Sequence, residues 1–325
     1  MTASTTELDG SGGVPAPATP APARKRSWLT GQREFWRQFS RHRDGLFGIA
    51  VLLFFTVMAI APQLFVGPLE TVTTASGTPF EPPSAQHIFG TDELGRDILN
   101  LTVHGARVSM VIGLLATVIT IVLGALIGIV SGYFGGRTDA VLMRLTDFFL
   151  VLPTFVLALV LAPIILDIVG ETSEVAGIRM TLIVIIIVIG ITSWASTARI
   201  IRSQALSVKE RMFVDRARVI GASGGHNMRR HILPNVLNLI VANTVLVFGG
   251  AILTETLLAF VGLGDPFAPS WGQILNSAET QGAPTLGAWW YIIPPATCVV
   301  LVVLAFTLVG GALDAVLNPR LRTRR

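Results

Sequence analysis

Six long apolar runs, each free of Asp, Glu, Lys and Arg, constrain the fold of this chain more than any other feature. They cover residues 45–66, 108–130, 148–166, 180–198, 232–254 and 289–313. Each run has 19 to 25 residues. At about 1.5 Å per residue, helices of that length span roughly 28–38 Å, close to the ~30 Å hydrocarbon core of a bilayer. Because backbone polar groups in lipid must bond within their own segment, each run is predicted to be a transmembrane helix.

The composition excludes most other classes of protein. Apolar residues make up 51% of the chain and charged residues 14%, whereas a soluble domain carries about 25% charged residues. The single cysteine, Cys298, cannot form an internal disulfide, and the five histidines show no metal-binding pattern, so no metal site is predicted. The sequence therefore predicts an all-α, polytopic membrane protein with six transmembrane helices.

The basic residues predict the orientation of these helices. With a cytoplasmic N-terminus, all but three of the 24 lysines and arginines fall on the cytoplasmic side, the exceptions being Arg96, Arg107 and Arg179. We therefore expect a multi-pass protein of a bacterial inner membrane with both termini in the cytoplasm. The net charge of +4 is carried by arginines clustered beside the apolar runs, so no nucleic-acid partner is predicted.

The segments between the runs complete the predicted organisation. Residues 1–23 are rich in Ala, Pro, Thr, Ser and Gly and are predicted to form a disordered tail, followed at residues 24–44 by a cytoplasmic basic amphipathic segment. The remaining predicted segments are a first transmembrane helix at 45–66, an external loop at 67–106, a transmembrane domain at 107–314 with a cytoplasmic loop at 207–234, and a basic C-terminal tail at 315–325.

Small residues and prolines inside the runs predict how the helices pack and bend. The second run carries small residues spaced by four, which favours close approach to a neighbouring helix: Ala116, Thr120, Gly124 and Gly128. Prolines in the third and sixth runs predict kinks or breaks: Pro153, Pro163, Pro294 and Pro295.

Motifs for catalysis are sparse. Neither Lys25 nor Lys209 follows a glycine as a Walker A motif requires, so no ATPase site is predicted. The sequence around Ser223 matches the Gly-x-Ser-x-Gly nucleophile elbow, but a charged amphipathic helix precedes it where that motif needs a strand. An intramembrane serine protease is thus a disfavoured alternative. A channel or ion-coupled carrier is also disfavoured, because no apolar run contains a charged residue.

The loop between the fourth and fifth runs carries the most information. One helix is expected there, with charged residues on one side and an apolar side formed by Val208, Met212, Phe213, Ala217, Val219 and Ile220. Gly221 is predicted to end that helix as a left-handed C′ residue. A second short helix through residues 226–231 leads into the fifth run. Such a two-faced helix pair is suited to docking in a groove of another protein.

This loop resembles the EAA loop of ABC-importer permeases. The family pattern is Glu-Ala-Ala, three residues, Gly, nine residues, Ile, one residue and Leu-Pro, and here the same spacing holds Asp215-Arg216-Ala217, Gly221, His231, Leu233 and Pro234. Further motifs resemble the C-type subunit of the dipeptide/oligopeptide/nickel permease class. They lie at residues 89–97, 105–109, 132–136 with Asp139 and Asp147, 255 with 260–264, 269–272 and 317–320.

The resemblance implies a type I ABC-importer permease fold and a transport subunit without enzymatic activity. It would move dipeptides or oligopeptides from a binding protein into the cytoplasm, with nickel or glutathione as the alternative solutes. The implied partners are a second homologous permease subunit, two ABC ATPase subunits, an extracytoplasmic solute-binding protein and membrane lipid. The chain itself would bind no cofactor, since ATP and magnesium would sit on the ATPases.

Three groups of residues are candidates for function. The implied ATPase-coupling residues are Asp215, Ala217, Gly221, Ala222, His231, Leu233 and Pro234. Polar residues of the fifth run either line a translocation path or make interhelical hydrogen bonds: Asn235, Asn238, Asn243 and Thr244. Trp271 and Gln273, in the external loop after that run, are candidates for contact with the binding protein.

Overall fold

The computed structural model describes residues 36–170, 174–175 and 178–317, and these are mostly helical. The helices are α1 Arg43–Ile60, α2 Ile98–Phe134, α3 Gly136–Val151, α4 Thr154–Val169, α5 Met180–Lys209, α6 Met212–Val219, α7 Gly224–Asn227, α8 Leu233–Leu258, α9 Trp271–Thr280 and α10 Trp289–Leu317. A 3₁₀ turn at Pro62–Leu64, π-helical turns at Met228–Ile232 and Ala259–Leu263, and an antiparallel pair of strands, β1 Glu174–Val175 and β2 Ile178–Arg179, complete the secondary structure. The predicted tail at 1–23, residues 24–35 of the basic segment and residues 318–325 of the C-terminal tail lie outside the described residues.

In the part of the chain that the structure describes, five helical stretches are long and apolar enough to cross a membrane, namely α1, α2, α5, the continuous stretch Gly224–Leu263 that contains α8, and α10. The pair α3 and α4 supplies the sixth crossing if it counts as one broken span, since it is bent by 91°. The predicted all-α membrane fold is confirmed, but the third run, 148–166, is not one helix. Pro153 has no N–H and disfavours helical geometry at Leu152, whose φ and ψ are −82° and 127°.

The other three prolines do not end their helices. Pro163 lies inside α4, and Pro294 and Pro295 lie inside α10. Of the four prolines that predicted kinks or breaks, Pro153 alone separates two helices in the described part of the chain.

The small-residue stripe of α2 packs against α5, as its spacing predicted. Ala116 and Thr120 are fully buried. A Cβ added to Gly124 would lie 2.6 Å from Thr197 Cγ2, and one added to Gly128 would lie 2.6 Å from the carbonyl oxygen of Ala198. The two helix backbones therefore approach so closely that only glycine fits at these positions.

Helix α2 has 37 residues and extends for about 55 Å, so it defines two ends of the molecule. At its N-terminal end, the α9 end, Ile98 and Leu101 pack with Ile274 and Tyr291. At its C-terminal end, the α6 end, Tyr133 packs with buried residues of α5, α6 and α8. The residues predicted for ATPase coupling and those predicted for binding-protein contact thus fall at opposite ends of one helix.

Candidate functional site

Helix α6 presents apolar side chains to solvent at its end of the molecule. Met212, Val219 and Ile220 are 74%, 88% and 86% exposed. Together with Asp215 and Arg216 they line a shallow groove of about 420 Å³. Clustered large apolar side chains on a surface are typical of a site that a partner covers.

The prediction that this segment has one continuous apolar side is wrong. Val208 is buried in α5, and the side chain that anchors α6 to the bundle is Val214, which is also fully buried. That prediction requires the segment to be one continuous helix. The structure ends α5 at Lys209 and begins α6 at Met212, so the helical period does not carry across the two residues between them.

Gly221 ends α6 as predicted. Its φ is +92°, its N–H donates to the carbonyl of Arg218 at 2.9 Å, and the N–H of Ala222 donates to the carbonyl of Ala217 at 2.9 Å. These two bonds form a Schellman motif, in which the C′ residue takes the left-handed conformation that glycine adopts without steric cost. The chain therefore reverses sharply here, and Ala217, Gly221 and Ala222 act together in one cap.

Ser223 is the N-cap of α7. Its hydroxyl accepts a hydrogen bond from the N–H of His226 at 3.3 Å, and it follows the α6 cap instead of a strand. A nucleophile elbow requires a strand–turn–helix arrangement. The structure therefore gives the alternative of a serine protease no support.

The remaining predicted coupling residues surround α6. Asp215 is exposed, and its Oδ1 lies 3.4 Å from Arg218 Nη1. The half-buried ring of His231 lies between two others, with its centroid 5.8 Å from that of Phe213 and 6.1 Å from that of His226. Leu233 and Pro234 are exposed in the first turn of α8. The spacing of the EAA pattern thus corresponds to a turn that brings the start of α8 beside α6.

The four polar residues predicted for a translocation path separate into two groups. Asn243 donates to Thr197 Oγ1 of α5 at 3.0 Å, and Thr244 donates to the carbonyl of Ile240 at 2.7 Å. Asn243 thus makes the interhelical hydrogen bond that was the alternative interpretation. Asn235 and Asn238 instead share one exposed face of α8, where Asn235 Nδ2 donates to the carbonyl of His231 at 2.7 Å.

The prediction that Trp271 contacts the binding protein is wrong, because its side chain is fully buried. Its ring packs edge-on against Phe55, with centroids 5.5 Å apart, and its Nε1–H donates to the carbonyl of Thr102 at 3.0 Å. A soluble protein cannot reach it in this structure. Gln273, two residues farther along α9, is half-buried, and its role stays a prediction.

Glu255 is a buried acid that lies one residue beyond the fifth apolar run. The fifth run stops at residue 254, whereas α8 continues to Leu258, so Glu255 is helical and only 1% exposed. Its carboxylate accepts from Ser109 of α2 at 3.1 Å, and the N–H of Trp271 donates to the Ser109 hydroxyl oxygen at 3.2 Å. One buried carboxylate thereby joins α2, α8 and the start of α9.

The loop before α2, which was predicted to be external, is ordered by its own polar network. Asp92 accepts from Arg96 at 2.6 Å, Glu93 accepts from the hydroxyl of Tyr291 at 2.6 Å, and Asp97 lies 3.1 Å from His87. Asp97 is also the N-cap of α2, so residues 98–106 of the predicted loop are helical. The loop is therefore a folded cap held on α10.

Comparison with known proteins identifies the family. Residues 124–323 match the model of the binding-protein-dependent transport system inner membrane component, and residues 32–83 match that of the N-terminal transmembrane domain of oligopeptide transport permease C. The chain belongs to the binding-protein-dependent transport permease family. Since this is a family of transport components, the permease is a transport subunit and not an enzyme, and its apolar helices make it a multi-pass inner-membrane protein.

Curated relatives of the permease cover nearly its whole length. It is 35% identical over 302 residues to the dipeptide transport system permease protein DppC of Bacillus subtilis, covering 92% of this chain and 88% of the relative. It is 32% identical over 313 residues to the oligopeptide transport system permease protein OppC of the same organism, covering 95% and 96%. The di/tripeptide transport system permease protein DppC of Pseudomonas aeruginosa is 33% identical over 298 residues, covering 89% and 92%.

Proposed function

We propose that this permease is the C-type subunit of an ATP-driven ABC importer that moves dipeptides or oligopeptides from an external binding protein into the cytoplasm. The relatives are named as dipeptide, oligopeptide and di/tripeptide permeases, which supports peptides as the solute class. The observation that carries the coupling role is the exposed apolar groove of α6, closed by the Schellman cap at Gly221.

An ATPase subunit would cover the α6 groove. Burying a side chain of the size of Met212, Val219 or Ile220 contributes about 1.5–3 kcal/mol, so these three alone supply a substantial part of an interface. ATP and magnesium would be held by two such ATPases, and their closure would displace α6 and with it the spans above. A second permease subunit would complete the pore, with Asn235 and Asn238 on the exposed face of α8 facing the solute path.

In this proposal the α6 end lies in the cytoplasm together with both termini. The α9 end then faces outward, where the folded cap before α2 and the half-buried Gln273 would meet the solute-binding protein. This arrangement agrees with the distribution of basic residues, because Arg211, Arg216 and Arg218 lie at the α6 end.

Uptake of a labelled dipeptide by a deletion strain that carries the gene on a plasmid tests the proposal. Ile220→Asp places a charge in the groove and is expected to abolish uptake and co-purification of the ATPases, with a normal amount of permease in the membrane. Ser207→Asp adds the same charge at an exposed position of α5 and should leave both unchanged.

Two outcomes would contradict the proposal. Full uptake by Ile220→Asp would remove the coupling role from α6. Uptake of nickel or glutathione, with none of any di- or oligopeptide, would show that the architecture serves one of the alternative solutes.

A further inference from the structure

Asn227 is a buried amide at the junction between α7 and the π-helical turn Met228–Ile232. It is fully buried, and its Nδ2 lies 3.2 Å from Tyr133 Oη and 3.4 Å from the carbonyl oxygen of Ala222. Because a backbone carbonyl only accepts hydrogen bonds, Ala222 fixes the amide nitrogen on this side. The π-helical turn that follows is a feature found frequently at functional sites.

This amide is not a favourable choice for stability alone. Among the described residues, Asn227 Oδ1 is buried with no hydrogen-bond partner. A buried polar atom without a partner destabilises a fold, and an apolar side chain of similar size would avoid that cost. The presence of an asparagine here therefore indicates that its contact with Tyr133 serves a purpose other than stability.

Tyr133 is the point where three elements meet. It is the last residue but one of α2 and is 7% exposed. The guanidinium carbon of Arg218, on α6, lies 5.3 Å from the centre of its ring, and a Cβ built on Gly224, at the start of α7, would lie 3.3 Å from its Cε1. The ring is thus in contact with α6 and α7 while its backbone belongs to α2.

The contact between α6 and α5 at this junction differs in kind. Val214 belongs to the same buried apolar cluster as Ile201 and Ala205 of α5, and apolar packing is non-directional. The bond from Asn227 to Tyr133 has a defined length and angle. It is therefore suited to carry a displacement of the α6–α7 segment to the end of α2.

We infer that Tyr133 and Asn227 are positioning residues that transmit movement of the ATPase-bound segment to α2, and so set how much solute crosses per ATP hydrolysed. The inference rests on the proposed function, because it assumes that an ATPase moves α6. It adds the site at which that movement enters the transmembrane helices.

The test uses the complete transporter in proteoliposomes, with the binding protein and a labelled dipeptide, and measures peptide imported per ATP hydrolysed. Tyr133→Phe removes only the hydroxyl. We expect the import ratio to fall roughly fivefold, the factor that one hydrogen bond contributes to an equilibrium, while the ATPases remain bound. An unchanged ratio would overturn the inference.

A matched control separates this effect from the loss of any buried hydroxyl. Thr146 on α3 is also fully buried, but its hydroxyl donates at 2.8 Å to Leu142 of the same helix. Thr146→Val should therefore leave the import ratio at the wild-type value. A fall equal to that of Tyr133→Phe would contradict a specific role for the Tyr133–Asn227 bond.

The double variant Tyr133→Phe with Asn227→Leu distinguishes transmission from mere structural support. It removes both polar partners, so no unpaired amide stays buried and stability should return towards that of the wild type. The import ratio should nevertheless stay low. Recovery of the ratio together with stability would show that the contact is only structural.

Failure of the two proposals can be told apart. A wild-type complex that neither retains ATPases nor imports any peptide would refute the proposed function and this inference together. A wild type that imports peptide, with Tyr133→Phe importing equally well per ATP, would refute the inference alone.

Discussion

Gly221 shows how one residue can set the direction of a helix through its backbone alone. No other atom lies within 4 Å of a Cβ built on this residue, so a larger side chain would cause no steric clash here. The requirement for glycine comes from the φ of +92°, which allows the two hydrogen bonds of the cap to form. The direction in which α6 points therefore depends on the backbone of this residue.

Gly221→Val tests that dependence. A β-branched residue in the left-handed conformation costs roughly 1–2 kcal/mol or more, so the cap should open and α6 should tilt away from its ATPase. We expect normal permease levels in the membrane, with uptake and ATPase co-purification both strongly reduced. Gly225→Val is the matched control, because Gly225 is a helical residue with open space around it and no positive φ.

Wild-type uptake by Gly221→Val, with its ATPases attached, would mean that the cap does not orient α6. Equal loss in the Gly225→Val variant would instead show that any larger residue in this turn disturbs the interface. Only a loss confined to Gly221 supports the role of its backbone conformation.

Residue roles were predictable where the cause is local. The conformation of Gly221 follows from its position after a short amphipathic helix, so the sequence indicated it correctly. Trp271 was assigned wrongly because its burial depends on Ser109 and Thr102, which lie 162 and 169 residues away. The burial of Glu255, one residue beyond the fifth apolar run, likewise depends on Ser109, which is 146 residues away. No local pattern reports such contacts.

At the scale of elements, the seam between α2 and α5 depends on residues without side chains. A Cβ at Gly124 would approach Thr197 Cγ2 to 2.6 Å and the carbonyl oxygen of Trp194 to 2.9 Å. A backbone atom cannot rotate aside as a flexible side chain can. Separation of the two helices would then be the only way to relieve the clash, at the expense of the packing along the seam.

Gly124→Ala is accordingly expected to lower the melting temperature of the purified permease in detergent. Overpacking of this kind costs about 1–3 kcal/mol, which outweighs the ~0.5–1 kcal/mol by which alanine favours a helix over glycine. Gly250→Ala is the matched control, since Gly250 is an exposed glycine of α8 with no atom within 4 Å of the added Cβ. It should leave the melting temperature unchanged or raise it, and an equal fall in both variants would contradict the seam argument.

Helix positions were largely predictable from apolar runs, whereas helix ends were not. An uncharged run reports the part of a helix that lipid or the bundle surrounds, so all six runs fall mainly in helices. The start of α2 at Ile98 depends instead on Asp97, whose carboxylate accepts from the N–H groups of Leu99 and Asn100. The break after Val151 depends on Pro153, which the sequence did indicate as a point of distortion.

At the scale of the whole molecule, the two ends of α2 carry different kinds of structure. The α9 end is a cap of loops fixed by buried acids and by aromatic residues of α10. The α6 end is a set of short basic helices with an exposed apolar groove. This asymmetry agrees with an orientation in which the α6 end is cytoplasmic, and that orientation can be measured.

Single cysteines in a Cys298→Ala background test the orientation in intact cells. Ala85 and Gln281 are exposed at the α9 end, and Ser207 is exposed at the α6 end. Cysteines at residues 85 and 281 should react with a membrane-impermeant thiol reagent, whereas a cysteine at residue 207 should react only after the cells are opened. Labelling of residue 207 in sealed cells would show that the α6 end faces outward and would contradict the predicted orientation.

The length of α2 gives the molecule a mechanical property. A bilayer core is ~30 Å thick, so a straight helix of about 55 Å projects well beyond it. A rod of that length works as a lever: a tilt of about 5° moves its far tip by roughly 5 Å, about one helical turn. The hydroxyl of Tyr133 is hydrogen-bonded to Asn227 at one end of α2, and the hydrogen bond between Ser109 and Glu255 lies part of the way towards the other end. On the proposed function, a push at Tyr133 would therefore tilt α2 as a whole and displace its opposite end as well.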